Sequence, residues 1–136
     1  MLASMLLAGC AHTTKTEQAE ALPLVRFPPP QENAEVVHLT AAAVGKLVYE
    51  QGCFKLRARG QPLQTIIWHS HFSLLSRDGK TGVVDEISGE SAFAGDEIRI
   101  GGGVVDSVGS NVENYARARE CGAPYTSANT LRRVKP

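Results

Sequence analysis

Two histidines, His69 and His71, have the residue type and spacing most suited to chemistry in this chain. Residues i and i+2 of a β-strand point to the same side of a sheet, so both imidazoles are expected together at a strand end. Such a pair supplies two ligands of a zinc or copper site, with His38 or a carboxylate as the third. A polar rim explains the same pair more simply. We therefore expect no structural metal and no cofactor, and a histidine-based metal-binding protein stays an alternative.

The glycines and carboxylates form no catalytic pattern. Gly101–Gly103 follow an apolar strand, but neither common phosphate-loop pattern is present, so we expect a tight strand end or bulge there. No G-x-S-x-G element occurs either. The acidic residues in or beside turns are Asp85, Glu86, Glu90, Asp96 and Glu97. Two of them facing each other would form an acid–base pair, but solvated surface positions are the default, and we expect a protein that is not an enzyme.

Aromatic and basic side chains are the remaining candidates for binding. Trp68 and Tyr49 are either core or ligand-stacking residues, and we expect Trp68 in the core because only 6% of the chain is aromatic. A local basic excess near the C-terminus consists of Arg117, Arg119, Arg132, Arg133 and Lys135 against Glu120. Such a segment can contact lipid headgroups, anionic glycans or a protein, although a solvated face is the simpler explanation.

Length and charge limit the function classes. The chain has 136 residues, with 14 basic and 14 acidic side chains, which fits one domain with a tail. The zero net charge argues against a nucleic-acid partner, since such binders need a basic excess. No apolar run reaches the roughly 18 residues of a membrane-spanning helix. A small secreted or envelope domain is the class that remains.

The first residues have a pattern typical of a targeting signal. Leu7-Ala8-Gly9-Cys10 resembles the lipobox of bacterial lipoproteins, a branched apolar residue and two small residues before a cysteine. The resemblance implies that residues 1–9 are a signal peptide and that Cys10 carries the lipid, palmitate included. It also implies an envelope protein held to a membrane through Cys10, and we expect the outer membrane, facing the periplasm. Two or more acyl chains are needed for stable anchoring.

Residues 10–35 are expected to form a lipid-anchored linker. They are rich in Ala, Thr, Glu, Gln and Pro, and Pro28–Pro30 favour a polyproline II stretch. We expect a disordered tether that spans roughly 80 Å when fully extended. A proline-rich docking peptide is the alternative, and Leu24, Val25 and Phe27 are apolar enough to pack onto the domain.

Residues 36–136 are expected to form an all-β domain of short antiparallel strands, because apolar and polar side chains alternate between glycine-containing turns. Gln51-Gly52 and Asp78-Gly79 are the clearest turns. The strands are expected within 46–50, 53–59, 64–68, 72–77, 82–87 and 97–100, and after Tyr125. Residues 111–120 are a helix capped by Ser110 or Asn111, or an extended loop. The expected core includes Phe54, Leu56, Ile66, Trp68, Ile98 and Ile100.

A series of motifs along residues 44–127 carries a resemblance. It comprises Gly45-x-Leu47-Val48, Gly52-Cys53-Phe54-x-Leu56, Ile66-Ile67-Trp68, Gly95-Asp96-Glu97-Ile98-x-Ile100-Gly101-Gly102-Gly103 and Cys121-x-x-Pro124-Tyr125. The series is similar to a small OB-like β-barrel domain of uncharacterised bacterial secreted proteins and lipoproteins. The resemblance implies an OB-like barrel and an envelope location, without an established reaction.

The three cysteines predict one disulfide. Cys10 is assigned to the lipid, which leaves Cys53 and Cys121 as an even pair in an exported protein, where disulfides persist. Two buried free thiols or a redox-active pair are the alternatives, although the C-x-x-C spacing of redox pairs is absent.

These expectations favour one function and leave three others open. The first is a non-enzymatic envelope lipoprotein, a tethered small β-barrel that docks a periplasmic protein or glycan. The second is a structural subunit of an outer-membrane secretion or conjugation complex. The third is a periplasmic inhibitor of a cell-wall hydrolase, and the fourth is the metal-binding protein described above.

Overall fold

A computed structural model describes residues 22–30 and 41–134, and within these ranges the protein is mostly β-sheet with one short helix. The elements are β1 (Ala41–Glu50), β2 (Cys53–Arg57), β3 (Gln64–Trp68), β4 (Phe72–Arg77), β5 (Lys80–Asp85), β6 (Ser91–Phe93), β7 (Glu97–Gly102), β8 (Val104–Val105), α1 (Tyr115–Cys121), β9 (Tyr125–Ala128) and β10 (Thr130–Arg133). The expected all-β class is confirmed. No helix in the described ranges is long and apolar enough to cross a membrane.

Glycine-containing turns set the register of the hairpins. Gln51 and Gly52 both have positive φ, and so do Asp78 and Gly79, as two-residue hairpin turns require. The first turn places Leu47 opposite Leu56, and the second places Leu74 opposite Val83. The turns predicted from the sequence are therefore confirmed.

Seven strands form the larger sheet, in the order β10-β7-β1-β2-β3-β9-β8. All neighbours are antiparallel except β3 and β9, which are parallel. The end of β7 also bonds to the β9 region, because the Ser127 N–H donates to the Gly103 carbonyl at 2.9 Å and the Asn129 N–H donates to the Gly101 carbonyl at 2.8 Å. The sheet thus curls back toward itself, and a closed OB-like barrel stays a prediction.

A second sheet of three antiparallel strands, β4-β5-β6, covers the core. Phe72, Val83 and Ala92 extend from it into the cluster formed by the larger sheet. All six core residues predicted from the sequence, Phe54, Leu56, Ile66, Trp68, Ile98 and Ile100, are buried at 5% exposure or less. Alternation along β7 and most of β2, and the short apolar run of β3, were sufficient signals for these core residues.

The expected tether does not include Leu24–Phe27, which belong to the folded domain, as the apolar side chains of Leu24, Val25 and Phe27 had allowed. Leu24 enters the main core, and Val25 packs in a second cluster with Ile67 and Val112. The Phe27 N–H donates to the Trp68 carbonyl at 2.8 Å, and the Trp68 N–H donates to the Val25 carbonyl at 3.0 Å. Burial of apolar side chains and backbone pairing along β3 hold this segment in place. The signal peptide, Cys10 and most of the linker lie outside the described residues; among the described ones, Leu22, Pro23, Pro29 and Pro30 are exposed and Pro28 is half-buried.

Of the two alternatives for residues 111–120, helix or extended loop, the structure has a helix, which starts at Tyr115 and ends at Cys121. Backbone hydrogen bonds between Glu113 and Arg26 occupy the residues just before it. Asn114, with φ 61°, stands at the N-cap without a side-chain capping bond, so the predicted caps Ser110 and Asn111 are wrong. Gly122 ends the helix, and its N–H donates to the Ala118 carbonyl.

Candidate functional site

The histidine pair lies in the turn between β3 and β4 and not on a strand, so the predicted strand geometry is wrong. β3 ends at Trp68, and the ring centroids of His69 and His71 are 6.1 Å apart. The His69 ring stands edge-on to Phe27. No group of three His, Cys, Asp or Glu side chains in the described ranges is placed to hold a metal ion, and His38 lies outside them.

Asp85 is buried, which corrects its expected surface position. Its Oδ1 accepts the backbone N–H groups of Ile87 at 2.9 Å and Ser88 at 3.3 Å, and lies 3.7 Å from His71 Nε2. His71 Nε2 is also 2.9 Å from the Asn129 carbonyl oxygen. The carboxylate therefore holds the turn after β5 and the imidazole links that turn to the β9–β10 connection. These bonds occupy Asp85 and give it a structural role.

The cysteines predicted to pair, Cys53 and Cys121, are brought together as a disulfide-capable pair. Their Cα atoms are 5.8 Å apart, within the range that a disulfide spans. Cys53 begins β2 and Cys121 ends α1, and both are buried. The pair therefore joins the only described helix to the larger sheet across a separation of 68 residues.

The aromatic candidates for ligand stacking are packing residues. Trp68 is fully buried between Phe54 and Phe72, with ring centroids 5.9 and 5.0 Å away. Its indole N–H has no acceptor among the described residues, so the ring contributes apolar packing. Tyr49 is half-buried and packs on Phe54. The expectation that Trp68 is core is confirmed.

The glycine triplet Gly101–Gly103 lies where the end of β7 passes close to β9. A side chain at Gly102 would collide with the backbone of Ser127 on β9, so only glycine fits. The Gly103 carbonyl accepts from Ser127, as described above, and the Gly103 N–H donates to Ser127 Oγ at 3.1 Å. The predicted tight strand end is confirmed.

The structure divides the predicted basic segment into two groups. On α1, Arg117 pairs with Glu120 at 3.0 Å, and Arg119 lies over the Tyr115 ring. On β10, Arg132 and Arg133 are exposed, and Lys135 lies outside the described residues. Among the described residues, the arginines on β10 form no ion pair, whereas Arg117 on α1 does.

Arg99 was missed by the sequence reasoning and stands directly opposite Arg132 across the β7–β10 pair. Directly opposed residues share a face, and like charges in that arrangement repel each other. Both side chains are exposed, and neither forms an ion pair with any residue in the described ranges. The alternation in Glu97–Ile100 gave the outward direction of Arg99, but nothing local predicted its pairing with β10.

The two arginines line a cleft of about 650 Å³ between the larger sheet and the turn after β5. We call it the arginine cleft. Its polar walls include Arg99, Arg132, Thr130, Ser88, Glu90 and Asp85. Ser88 Oγ accepts the Glu90 N–H at 3.1 Å, and Thr130 Oγ1 accepts the Gly101 N–H at 3.0 Å, so both hydroxyls keep a proton to donate. The arrangement can bind an anion and hydrogen-bond a polar ligand.

Comparison with known proteins found no family model, no curated protein and no solved structure that matches the chain. The assignment of a function therefore rests on the geometry described above.

Proposed function

We propose that the chain is a non-enzymatic lipoprotein of the bacterial envelope that is anchored through Cys10, faces the periplasm from the outer membrane, and docks a protein or glycan through its β domain. The observation that carries the proposal is the arginine cleft, where Arg99 and Arg132 stand at directly opposed strand positions and form no ion pair with any described residue. Stored repulsion of this kind is relieved when an anionic partner binds.

Two further features support export and the OB-like fold. The disulfide-capable pair suits an oxidising compartment such as the periplasm. The β1–β2–β3 meander, the parallel β3–β9 pair and the return of β7 to β1 support an OB-like barrel, with β4–β6 inserted between β3 and β7. The hydrogen bonds from Ser127 and Asn129 to the end of β7 support its closure.

The anchor is tested by labelling with radioactive palmitate in a bacterial host. The wild-type chain should incorporate label, and Cys10→Ser should remain unlabelled and leave the membrane fraction. A Cys53→Ser/Cys121→Ser variant is the matched control, because it loses two cysteines and should keep the label. Equal membrane fractionation and equal mature mass of wild type and Cys10→Ser would refute the anchor.

The docking role is tested by cross-linking in cells. A photo-reactive residue at Ser88, on the wall of the cleft, should form a discrete adduct. The same residue at Asp78, in the exposed turn of the β4–β5 hairpin, is the control and should not. Identical adduct patterns at both positions, or no adduct at Ser88, would contradict docking through the cleft.

A further inference from the structure

We infer that the arginine cleft binds an acidic saccharide whose carboxylate lies between Arg99 and Arg132. This ligand class rests on the proposed docking function and makes it more specific. The planar guanidinium fork matches a carboxylate with two parallel hydrogen bonds, and two such groups on one face can hold one carboxylate from both sides.

The other walls suit the hydroxyl groups of a sugar. Ser88 and Thr130 each retain a hydroxyl proton to donate, because a backbone N–H already occupies an acceptor site on each oxygen. Glu90 is exposed and forms no ion pair in the described ranges, so its carboxylate can accept from a sugar hydroxyl. A site with both guanidinium donors and a free carboxylate matches a ligand that carries an acid and several hydroxyls.

Shape and charge favour a saccharide over an anionic membrane. The volume of about 650 Å³ lies in the range of roughly 300–1,000 Å³ typical of small-molecule sites. A bilayer surface is flat and negative, and the exposed Glu86 and Glu90 on the turn beside the arginines would be pressed against it. A single acidic chain can place its carboxylate on the arginine side of the cleft and a hydroxyl group against Glu90, which a flat surface of anionic headgroups cannot do.

Calorimetry tests the inference with the full chain carrying Cys10→Ser, which keeps it free of lipid. The probes are trigalacturonate and the neutral trisaccharide maltotriose. We expect trigalacturonate to bind and maltotriose to bind at least about tenfold more weakly, since a charge-assisted contact is lost. Arg99→Gln and Arg132→Gln should each weaken trigalacturonate binding by about tenfold or more.

Arg57→Gln is the matched control. Arg57 is exposed on the same sheet but does not line the cleft. Its substitution by Gln changes the net charge by the same amount as the cleft variants do. Its effect should stay within about twofold, because separated surface charges are screened by salt. The melting temperature of each variant is first shown to equal that of the wild type. Should Arg99→Gln fail to fold, Arg132→Gln carries the same comparison.

Three outcomes would overturn the inference: no binding of trigalacturonate, equal weakening by Arg57→Gln, or binding to phosphatidylglycerol vesicles with none to trigalacturonate. A Ser88 cross-link to a protein together with no saccharide binding would leave docking intact and remove the saccharide. Loss of both would remove the docking function itself.

Discussion

Removal of the Cys53–Cys121 bond should strongly destabilise the domain. The two residues are separated by 68 positions, and the chain-entropy relation gives about 4 kcal/mol for a loop of that length. The folded domain is expected to have a total unfolding free energy of about 5–15 kcal/mol. The bond therefore accounts for a large share of it, and the melting temperature should fall by roughly 15–30 °C.

The perturbation is best made with Cys53→Ala/Cys121→Ala, since alanine places no new hydroxyl in these buried positions. Guanidinium unfolding followed by far-ultraviolet circular dichroism measures the loss. Wild-type protein reduced with dithiothreitol is the control for the lost sulfur atoms. Reduced wild type and the double variant should have similar midpoints, because the cross-link and not sulfur packing is the main contribution.

Two results would refute this reasoning. One is titration of two free thiols at these positions in the denatured, unreduced protein from an oxidising compartment. The other is equal unfolding midpoints for oxidised and reduced wild type. A loss below about 1 kcal/mol would show that α1 is already held by its apolar contacts through Ala118 and Tyr125.

Three other predictions concern the core, the N-terminal segment and the histidines. Ile100→Ala should cost about 2–5 kcal/mol in unfolding free energy because Ile100 is fully buried, and an unchanged midpoint would remove it from the core. Arg26→Ala should cost about 1 kcal/mol, because its half-buried guanidinium bonds Glu113 at 2.8 Å and the Phe72 carbonyl at 2.9 Å. Arg26→Ala should also be cleaved faster by a protease in the residues before β1 than the control variant Arg77→Ala, because the N-terminal segment has lost these bonds to the domain. Chelation should leave the melting temperature unchanged, and a large fall abolished by His69→Ala would restore the metal hypothesis.

The elements that depend on neighbouring residues alone could be predicted from the sequence. Gln51-Gly52 and Asp78-Gly79 predicted their hairpins because two-residue turns need positive φ, which depends on those residues alone. Strand β3 was predicted with its observed bounds because its apolar run is short and ends at polar residues. Local reasoning gave the wrong geometry for His69 and His71, because the end of a strand depends on where the neighbouring strands end.

The pairing of strands that are distant in the sequence could not be predicted. The register that sets Arg99 opposite Arg132 joins strands separated by β8, α1 and β9, and neither strand contains a local signal for the other. The burial of Asp85 depends on the same kind of contact, through His71 and the turn after β5. The arginine cleft could therefore be recognised only once the sheets were assembled, although each of its side chains was visible in the sequence.

The packing of Leu24–Phe27 changes what an anchor at Cys10 implies for the position of the cleft. A linker that ended at residue 35 would reach roughly 80 Å, but the chain is already bonded to the domain from Leu22, whose N–H donates to the Tyr49 hydroxyl at 3.3 Å. Only the 11 residues from Ala11 to Ala21 then separate the lipid from the folded part, and they span at most roughly 40 Å. That distance is close to the diameter of a domain of this size. A partner in the arginine cleft would therefore lie within about two domain diameters of the membrane, which favours a component of the layer next to the membrane over a distant one.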